Sequence, residues 1–411
     1  RAQEREAEAL INPTQAQIES VIDRPLVGFN NRRYDNHIVY AALLGEDRQS
    51  LYRQSQRIIN DKDASSGMYS GAYELSYTDI YDYSNAGNKK SLKKWEVELG
   101  IKHDEFELPW DKPVPEDMWE RAAEYCINDV VATEAVFEAT RADYNARRIL
   151  STLSGLSMNA STNQHTTAIV FEGKPRFETA KELVYTDLSK DFPGYSYSFG
   201  KSTYRGEEPG EGGYVYAEPG VYQNVSLYDV ASMHPRSIVE LNAFGKYTRN
   251  FESLMDGRLD CKHDDVESLR DRFGGKLDDI LNEDGITLKD ISNGLKTAIN
   301  SVYGLSSARF ENSFKHPKNL DNIVAKRGAL FMIDLKLALQ EKGVQVVHIK
   351  TDSIKVVDPT PEINDFIFEF GKRYGYEFEL EDTYTRLALV NKSTYVCENE
   401  SGEWDATGAQ Y

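Results

Sequence analysis

Residues 344–357 read VQVVHIKTDSIKVV. Val344, Val346, Val347 and Ile349 lead into Thr351-Asp352-Ser353, and Ile354, Val356 and Val357 lead out. Two short β-branched runs around a polar tripeptide predict a β-hairpin over 344–358. Its tip carries a carboxylate that folding does not ask for. A second aspartate, Asp229, ends the run NVSLY (224–228), where a strand is expected from Val225 to Tyr228. These aspartates are 123 residues apart in sequence and can lie side by side in one sheet. Such a pair suits two Mg²⁺ ions about 3.5–4 Å apart, which stabilise attacking and leaving oxygens in phosphoryl transfer. Both residues also fit ordinary turn positions, where Asp is common.

Just upstream, ISNGLKTAINSVYG (291–304) places Lys296, Asn300 and Tyr303 on one helical face, at i, i+4 and i+7. Lys289 extends that polar face, while Ile291, Leu295, Ile299 and Val302 form the apolar stripe beside it. A lysine, an amide and an aromatic in one line suit a nucleoside triphosphate, with charge for phosphate and a ring for the base. A plain solvated face is the alternative. Long helices are expected around 286–303 and 318–342, another at 361–374, and further strands over 377–397. A polar, acidic helical stretch of about 60 residues follows Asp229. Together these elements describe an antiparallel sheet carrying helices, with a helical excursion between its first strand and its hairpin.

The N-terminal part differs. Residues 21–150 alternate short apolar runs with helical patterns, as an α/β domain does. Leu26–Phe29 reads as a buried strand leading into the polar loop Asn30–Asp35, and a helix is expected from Pro115 to about Ala142. Residues 151–221 are rich in Ser, Thr, Gly and Tyr, with EEPGEGG at 207–213, and read as a connector. The opening RAQEREAEA reads as a helix from within a longer protein, so the sequence is taken as a fragment.

At 411 residues the chain can build about two or three domains with real cores. It has no apolar run of membrane-spanning length, about 18 residues, and no signal-peptide pattern. A cytoplasmic protein without membrane contact is expected, and its three scattered cysteines suggest neither zinc nor disulfides. The net charge of −19 speaks against a nucleic-acid partner, because phosphate binding needs clustered cations. A basic channel beside an acidic metal site would satisfy both.

DVASMHP (229–235), KTAINSVYG (296–304) and KTDS (350–353) resemble, in order, motifs A, B and C of family B DNA polymerases. NKSTY (391–395) resembles the family's later Lys-Tyr strand motif. NRRYD (31–35) and YCIND (125–129) are similar to the second and third motifs of its 3′→5′ proofreading exonuclease. YRG (204–206) and GGY (212–214) lie where viral members carry a Tyr-Gly-Gly linker that contacts single-stranded DNA. The resemblance covers about residues 20–411.

It implies an RNase H-like exonuclease domain at 1–150 and a connector at 151–221. A palm of antiparallel sheet and helices would follow at 222–261 and 305–411, with short helical fingers at 262–304. Asp229 and Asp352 would hold two Mg²⁺ ions, and Lys296 would meet the incoming triphosphate. Asn300, Tyr303 and Gly304 would line the nascent base pair, with the amides of Ser232 and Met233 supporting phosphates. Lys392 and Tyr395 would contact the primer terminus, and Tyr204, Gly212 and Gly213 the single strand. In the exonuclease, Asp35 and Asp129 would hold Mg²⁺ or Mn²⁺, Tyr125 would orient water, and Asn31 and Tyr34 would touch the frayed primer end. Partners implied are primer-template DNA, dNTPs and phage replication accessory proteins, with the enzyme acting as a monomer in the host cytoplasm.

The sequence departs from the family pattern at four places. Lys350 replaces the first aspartate of motif C and, two residues from Asp352, is expected to point into the metal site. His234 stands where a tyrosine rejects ribonucleotides, which predicts weaker sugar discrimination. The exonuclease's Asp-x-Glu motif is absent before Asn31, so proofreading would be incomplete. The resemblance implies a thumb after the Lys-Tyr strand that the 411 residues do not include, as in a fragment, and Ser393 replaces that strand's second lysine. Short gaps, 71 residues from Asp229 to Asn300 and 52 from Asn300 to Asp352, suit a compact phage replicase using an ordinary primer. The competing readings are a non-catalytic nucleic-acid-binding relic and a stand-alone exonuclease.

Overall fold

The structure, a computed structural model, describes residues 7–60, 67–83, 89–109 and 112–408. Most of the helix expected at the N-terminus falls on residues 1–6, outside those described. The chain forms two units, one of residues 1–161 with 276–294 and the other of 162–275 with 295–411. The division falls inside the continuous helix Leu288–Ser307. Segment 276–294 thus belongs with the N-terminal unit, and the expected fingers, 262–304, are shared between the two. No helix among the described residues is long and apolar enough to cross a membrane.

In the first unit, β1 (Leu26–Gly28) pairs in parallel with β2 (Tyr77–Asp79), Gly28 lying opposite Asp79. Position 28 must be glycine for reasons of space. A Cβ there would sit 2.6 Å from Asn31 Oδ1 and 2.8 Å from the Tyr77 ring. Helices Asp35–Leu43, Leu92–Leu99, Trp119–Ala139 and Arg141–Ser154 accompany the pair. Leu92–Leu99 starts where the Ser91 hydroxyl accepts from the Lys94 amide and stops at Gly100, φ 67°.

The second unit opens with helices Thr162–Val170 and Arg176–Thr179 and the small hairpin β3 (Ser196–Ser198) and β4 (Lys201–Thr203). The region read as a connector therefore carries its own structure. A seven-stranded sheet follows, of β5 (Val215–Ala217), β6 (Gly220–Val230), β7 (Val346–Lys350), β8 (Ser353–Val357), β9 (Phe378–Leu389), β10 (Tyr395–Asn399) and β11 (Trp404–Thr407). Its order is β11-β10-β9-β6-β8-β7-β5, and every neighbouring pair is antiparallel. The expected hairpin is β7–β8, and its turn is tight, with Lys350 opposite Ser353.

Between β6 and β7 run helices Met233–Glu240, Thr248–Lys262 and Val266–Arg272, and then the long helices Leu288–Ser307 and Ile323–Glu341. Ile323–Glu341 is buried along most of its length. Its Phe331 ring packs against Phe370, Tyr374, Tyr376 and Phe378. Gly328 lets the Met233 thioether approach to where a Cβ would sit 2.5 Å from Sδ. That contact locks the helix after Asp229 onto the core.

Candidate active site

Four strands set one row of side chains. Glu379 on β9 faces Asp229 on β6, Asp229 faces Ser353 on β8, and Ser353 faces Lys350 on β7. Directly opposed residues of antiparallel strands share a face, so the row runs Glu379, Asp229, Ser353, Lys350. The Val230 amide donates to the Asp352 carbonyl at 2.9 Å, which seats the hairpin tip against the end of β6. The aspartates separated by 123 residues in sequence are thereby brought together.

Lys350 lies on the Asp229 face of the sheet, but Asp352 lies in the turn, where the two-residue alternation does not fix its direction. Alternation holds only within a strand, and β7 ends at Lys350. Thr351 then takes a left-handed conformation, φ 60°, which is unusual for a β-branched residue. The Thr351 amide, donating to the Tyr214 carbonyl at 2.9 Å, holds it there. Lys350 is solvent-exposed, one strand beyond Ser353. A different lysine lies in the neighbouring row. Lys355 on β8 is 2 % exposed, faces Leu227 and His348, and its charge acts on Asp229.

Burial pushes the Asp229 carboxyl up to about 7, and Asp352, Glu381 and Glu379 add like-charge repulsion. Crowded carboxylates of this kind fit a divalent cation, which would relieve both the repulsion and the lost hydration. No group of three or more His, Cys, Asp or Glu side chains is placed to ligate a metal among the described residues. Two carboxylates are fewer ligands than Mg²⁺ takes, and that ion commonly completes its shell with waters and substrate phosphates.

Helix Leu288–Ser307 presents Lys296, Asn300 and Gly304 to solvent, while Ile291, Leu295, Ile299 and Val302 are buried, as their spacing predicts. Tyr303 is half-buried, and His234 stacks on its ring with centroids 4.2 Å apart and planes 14° from parallel. Burial lowers the His234 pKa against the pull of Asp352, and its Nδ1 is buried without a hydrogen-bond partner. Ser232, φ 57°, caps helix Met233–Glu240, whose first-turn amides have no acceptor within the helix. The Met233 side chain itself is core.

The connector residues divide. Gly212 is exposed, but Tyr204 is 1 % exposed and its hydroxyl donates to Asp334 Oδ1 at 2.8 Å. Tyr204 thus anchors the loop and does not present its ring to a DNA strand. Gly213, φ 153°, lies where a Cβ would be 3.0 Å from Thr351 Cγ2. Lys326 on helix Ile323–Glu341 donates to the carbonyls of Pro209 and Gly210, and Lys336 donates to Glu207 and to the Tyr214 hydroxyl. Lys392, at the centre of the β9–β10 turn, is exposed, and Tyr395, the first residue of β10, is half-buried.

In the first unit, burial raises the Asp35 carboxyl to about 6, with further repulsion from Asp79 and Asp129. Asp129 pairs with Lys93 at 3.0 Å, and the Lys93 ammonium lies 4.7 Å from the Tyr125 ring centroid. Asn31 is buried and donates to Asn36, and Tyr34 bonds Ser55 at 2.7 Å. Asp79 escapes the sequence reading. Its carboxylate accepts from the amides of Asn30, Arg32 and Tyr81, fixing the loop that carries Asn31. A three-residue strand has no periodicity to reveal it, and its place opposite Gly28 is the only signal.

No described protein family and no curated protein matches the sequence. Among solved structures, the chain is similar to the family B DNA polymerase from the hyperthermophilic archaeon Pyrobaculum calidifontis, at 18% identity and a TM-score of 0.44. The match covers 96% of this chain and 54% of that one, so the chain spans about half the length of that polymerase.

Proposed function

We propose that the chain is a template-directed DNA polymerase of family B type, adding dNTPs to a primer 3′ end by two-metal phosphoryl transfer. One observation carries this reading. Asp229 and Asp352 meet at the ends of adjacent strands in an acidic, half-buried setting, in a unit that also stacks His234 on Tyr303. Asp229 and Asp352 would hold two Mg²⁺ ions, which supply stabilisation of the charge on the attacking and leaving oxygens. The primer 3′ oxygen bonds the α-phosphorus, and pyrophosphate leaves. Lys296 meets the triphosphate, helped by the amides of Ser232 and Met233 at their helix N-terminus. Asn300, Tyr303 and Gly304 line the base pair, with His234 behind the sugar. Lys392 and Tyr395 receive the primer end.

The template strand has a candidate path. A cleft of about 340 Å³ in the second unit is lined by Lys201, Arg309, Lys315 and Lys326 together with the carboxylates Glu208, Glu211 and Asp321. Phe199, fully exposed on the β3–β4 turn, and Phe310 stand exposed beside these residues in sequence. Cations with exposed rings suit a single strand without sequence preference. A phage enzyme working as a monomer in a host cytoplasm is the setting proposed, with accessory proteins as further partners.

The first unit supports a second, subordinate activity. Asp35 and Asp129 would hold Mg²⁺ or Mn²⁺ for 3′→5′ hydrolysis, with Tyr125 beside them and Asp79 as an added carboxylate. A primed template with Mg²⁺ and dNTPs tests all the readings. Extension supports the polymerase, shortening alone the exonuclease, and binding without either the inactive relic.

A further inference from the structure

We infer that His348 and Lys355 form a buried hydrogen-bond relay that positions the β9–β10 turn, residues 390–394, and with it the contact of Lys392 and Tyr395 to the primer strand. This rests on the polymerase reading. His348 on β7 and Lys355 on β8 are cross-strand partners, and both are enclosed, at 0 % and 2 % exposure. Apolar residues would fill this space at lower cost, because burying an ammonium and an imidazole forfeits their hydration. Folding alone gives no reason for the pair.

The geometry gives one. His348 Nε2 lies 3.1 Å from the Lys392 carbonyl oxygen, and His348 Nδ1 lies 3.4 Å from Lys355 Nζ. An ammonium can only donate, so Nδ1 accepts and the ring proton must sit on Nε2. Nε2–H then donates to the Lys392 carbonyl. Burial keeps the ring neutral by lowering its pKa to about 4, which preserves this one-donor, one-acceptor form.

The same ammonium lies 4.5 Å from the centroid of the Tyr395 ring, and the His348 ring meets that ring edge-on at 5.7 Å. The relay therefore holds the turn at its centre and at the start of β10. Within the turn, Asn391 Oδ1 accepts from the amides of Ser393 and Thr394, and the Val390 amide donates to the Thr394 carbonyl. Its internal shape is thus already set. What His348 and Lys355 add is its placement against β7–β8, the hairpin that ends in Asp352. They are positioning residues that hold the primer contact at a fixed distance from the metal-holding aspartate.

The test is steady-state extension by the parent, His348→Leu, His348→Gln and Lys355→Met, with primer-template and dNTP concentrations varied separately. His348→Leu should raise the primer-template concentration for half-maximal rate about tenfold, the size expected for one buried hydrogen bond left unmade. The rate at saturation and the KM for dNTP should stay within about twofold. His348→Gln, whose amide nitrogen can replace Nε2–H, should recover most of the loss, and Lys355→Met should move the primer term in the same direction. An equal fall in saturated rate with an unchanged primer term, or no rescue by glutamine, overturns the relay. Should thermal unfolding show that His348→Leu does not fold, the contrast between Lys355→Met and His348→Gln decides by the same criteria. A parent that extends no primer refutes the polymerase reading itself, whereas an active parent with unmoved variants refutes the relay alone.

Discussion

Replacing Asp229 with asparagine should make the metal-free protein more stable while removing its activity. Asp229 carries a carboxyl pushed from its ordinary 3.8 to about 7 by burial and by Asp352, Glu381 and Glu379. A folded-state pKa raised in this way means that the folded protein binds the proton more tightly than the unfolded chain. The associated stability is fully present below about 4 and is lost as pH rises to about 7. At full weight the rise corresponds to roughly 4 kcal/mol. Asp229 is only half-buried, so solvent screening reduces this to about 1–2 kcal/mol. The substituted amide is neutral at every pH, so Asp229→Asn should raise the thermal midpoint by roughly 2–6 °C at pH 8 in EDTA. At pH 4 the gain should vanish. Calorimetry of parent and variant at half-unit pH steps is the assay. A gain that does not change between pH 4 and 7, or a loss at pH 8, would refute the reasoning that crowded carboxylates await a cation.

Three further outcomes are expected. Asp352→Asn should cut primer extension by at least about 100-fold with the fold intact by circular dichroism, and extension equal to the parent's would sink the metal-ligand assignment. His234→Tyr should keep the stack on Tyr303 and lower rNTP relative to dNTP incorporation several-fold, as read by single-nucleotide insertion; an unchanged ratio removes His234 from sugar selection. Gly213→Ala must place a Cβ 3.0 Å from Thr351 Cγ2 at φ 153°. It should cost about 1–3 kcal/mol in urea unfolding, and an unchanged midpoint would show that the loop yields freely.

The second unit is largely legible in the sequence because its signals are local. Alternating β-branched residues around Thr351-Asp352 specify the β7–β8 hairpin, and the stripe from Ile291 to Val302 specifies the helix that presents Lys296 and Asn300. Helix ends differ by a few residues, as at Leu288–Ser307 and Ile323–Glu341. What escapes depends on contacts between distant segments. Lys355 reads as an outward residue between Ile354 and Val356, and only its pairing with His348 and cover by Tyr395 reveal that it is buried. Tyr204 looks like a nucleic-acid contact, but Asp334, 130 residues on, takes its hydroxyl. Asp352 lies past the end of β7, so the alternation rule cannot relate it to Lys350. Asp79 lies in too short a strand for any pattern to single it out.

The loop from Tyr204 to Tyr214 has the composition of a flexible tether, with glycine at 206, 210, 212 and 213. Helix Ile323–Glu341 contradicts that impression by clamping it at Lys326, Asp334 and Lys336, three stations along one rigid rod. The loop is better regarded as upholstery stretched over a frame than as a hinge. For anyone reshaping this protein, it is therefore a poor place to graft a tag or splice in another domain. An insertion there would pull tacks from the frame, and the last of them, Tyr214, holds the strained threonine next to Asp352.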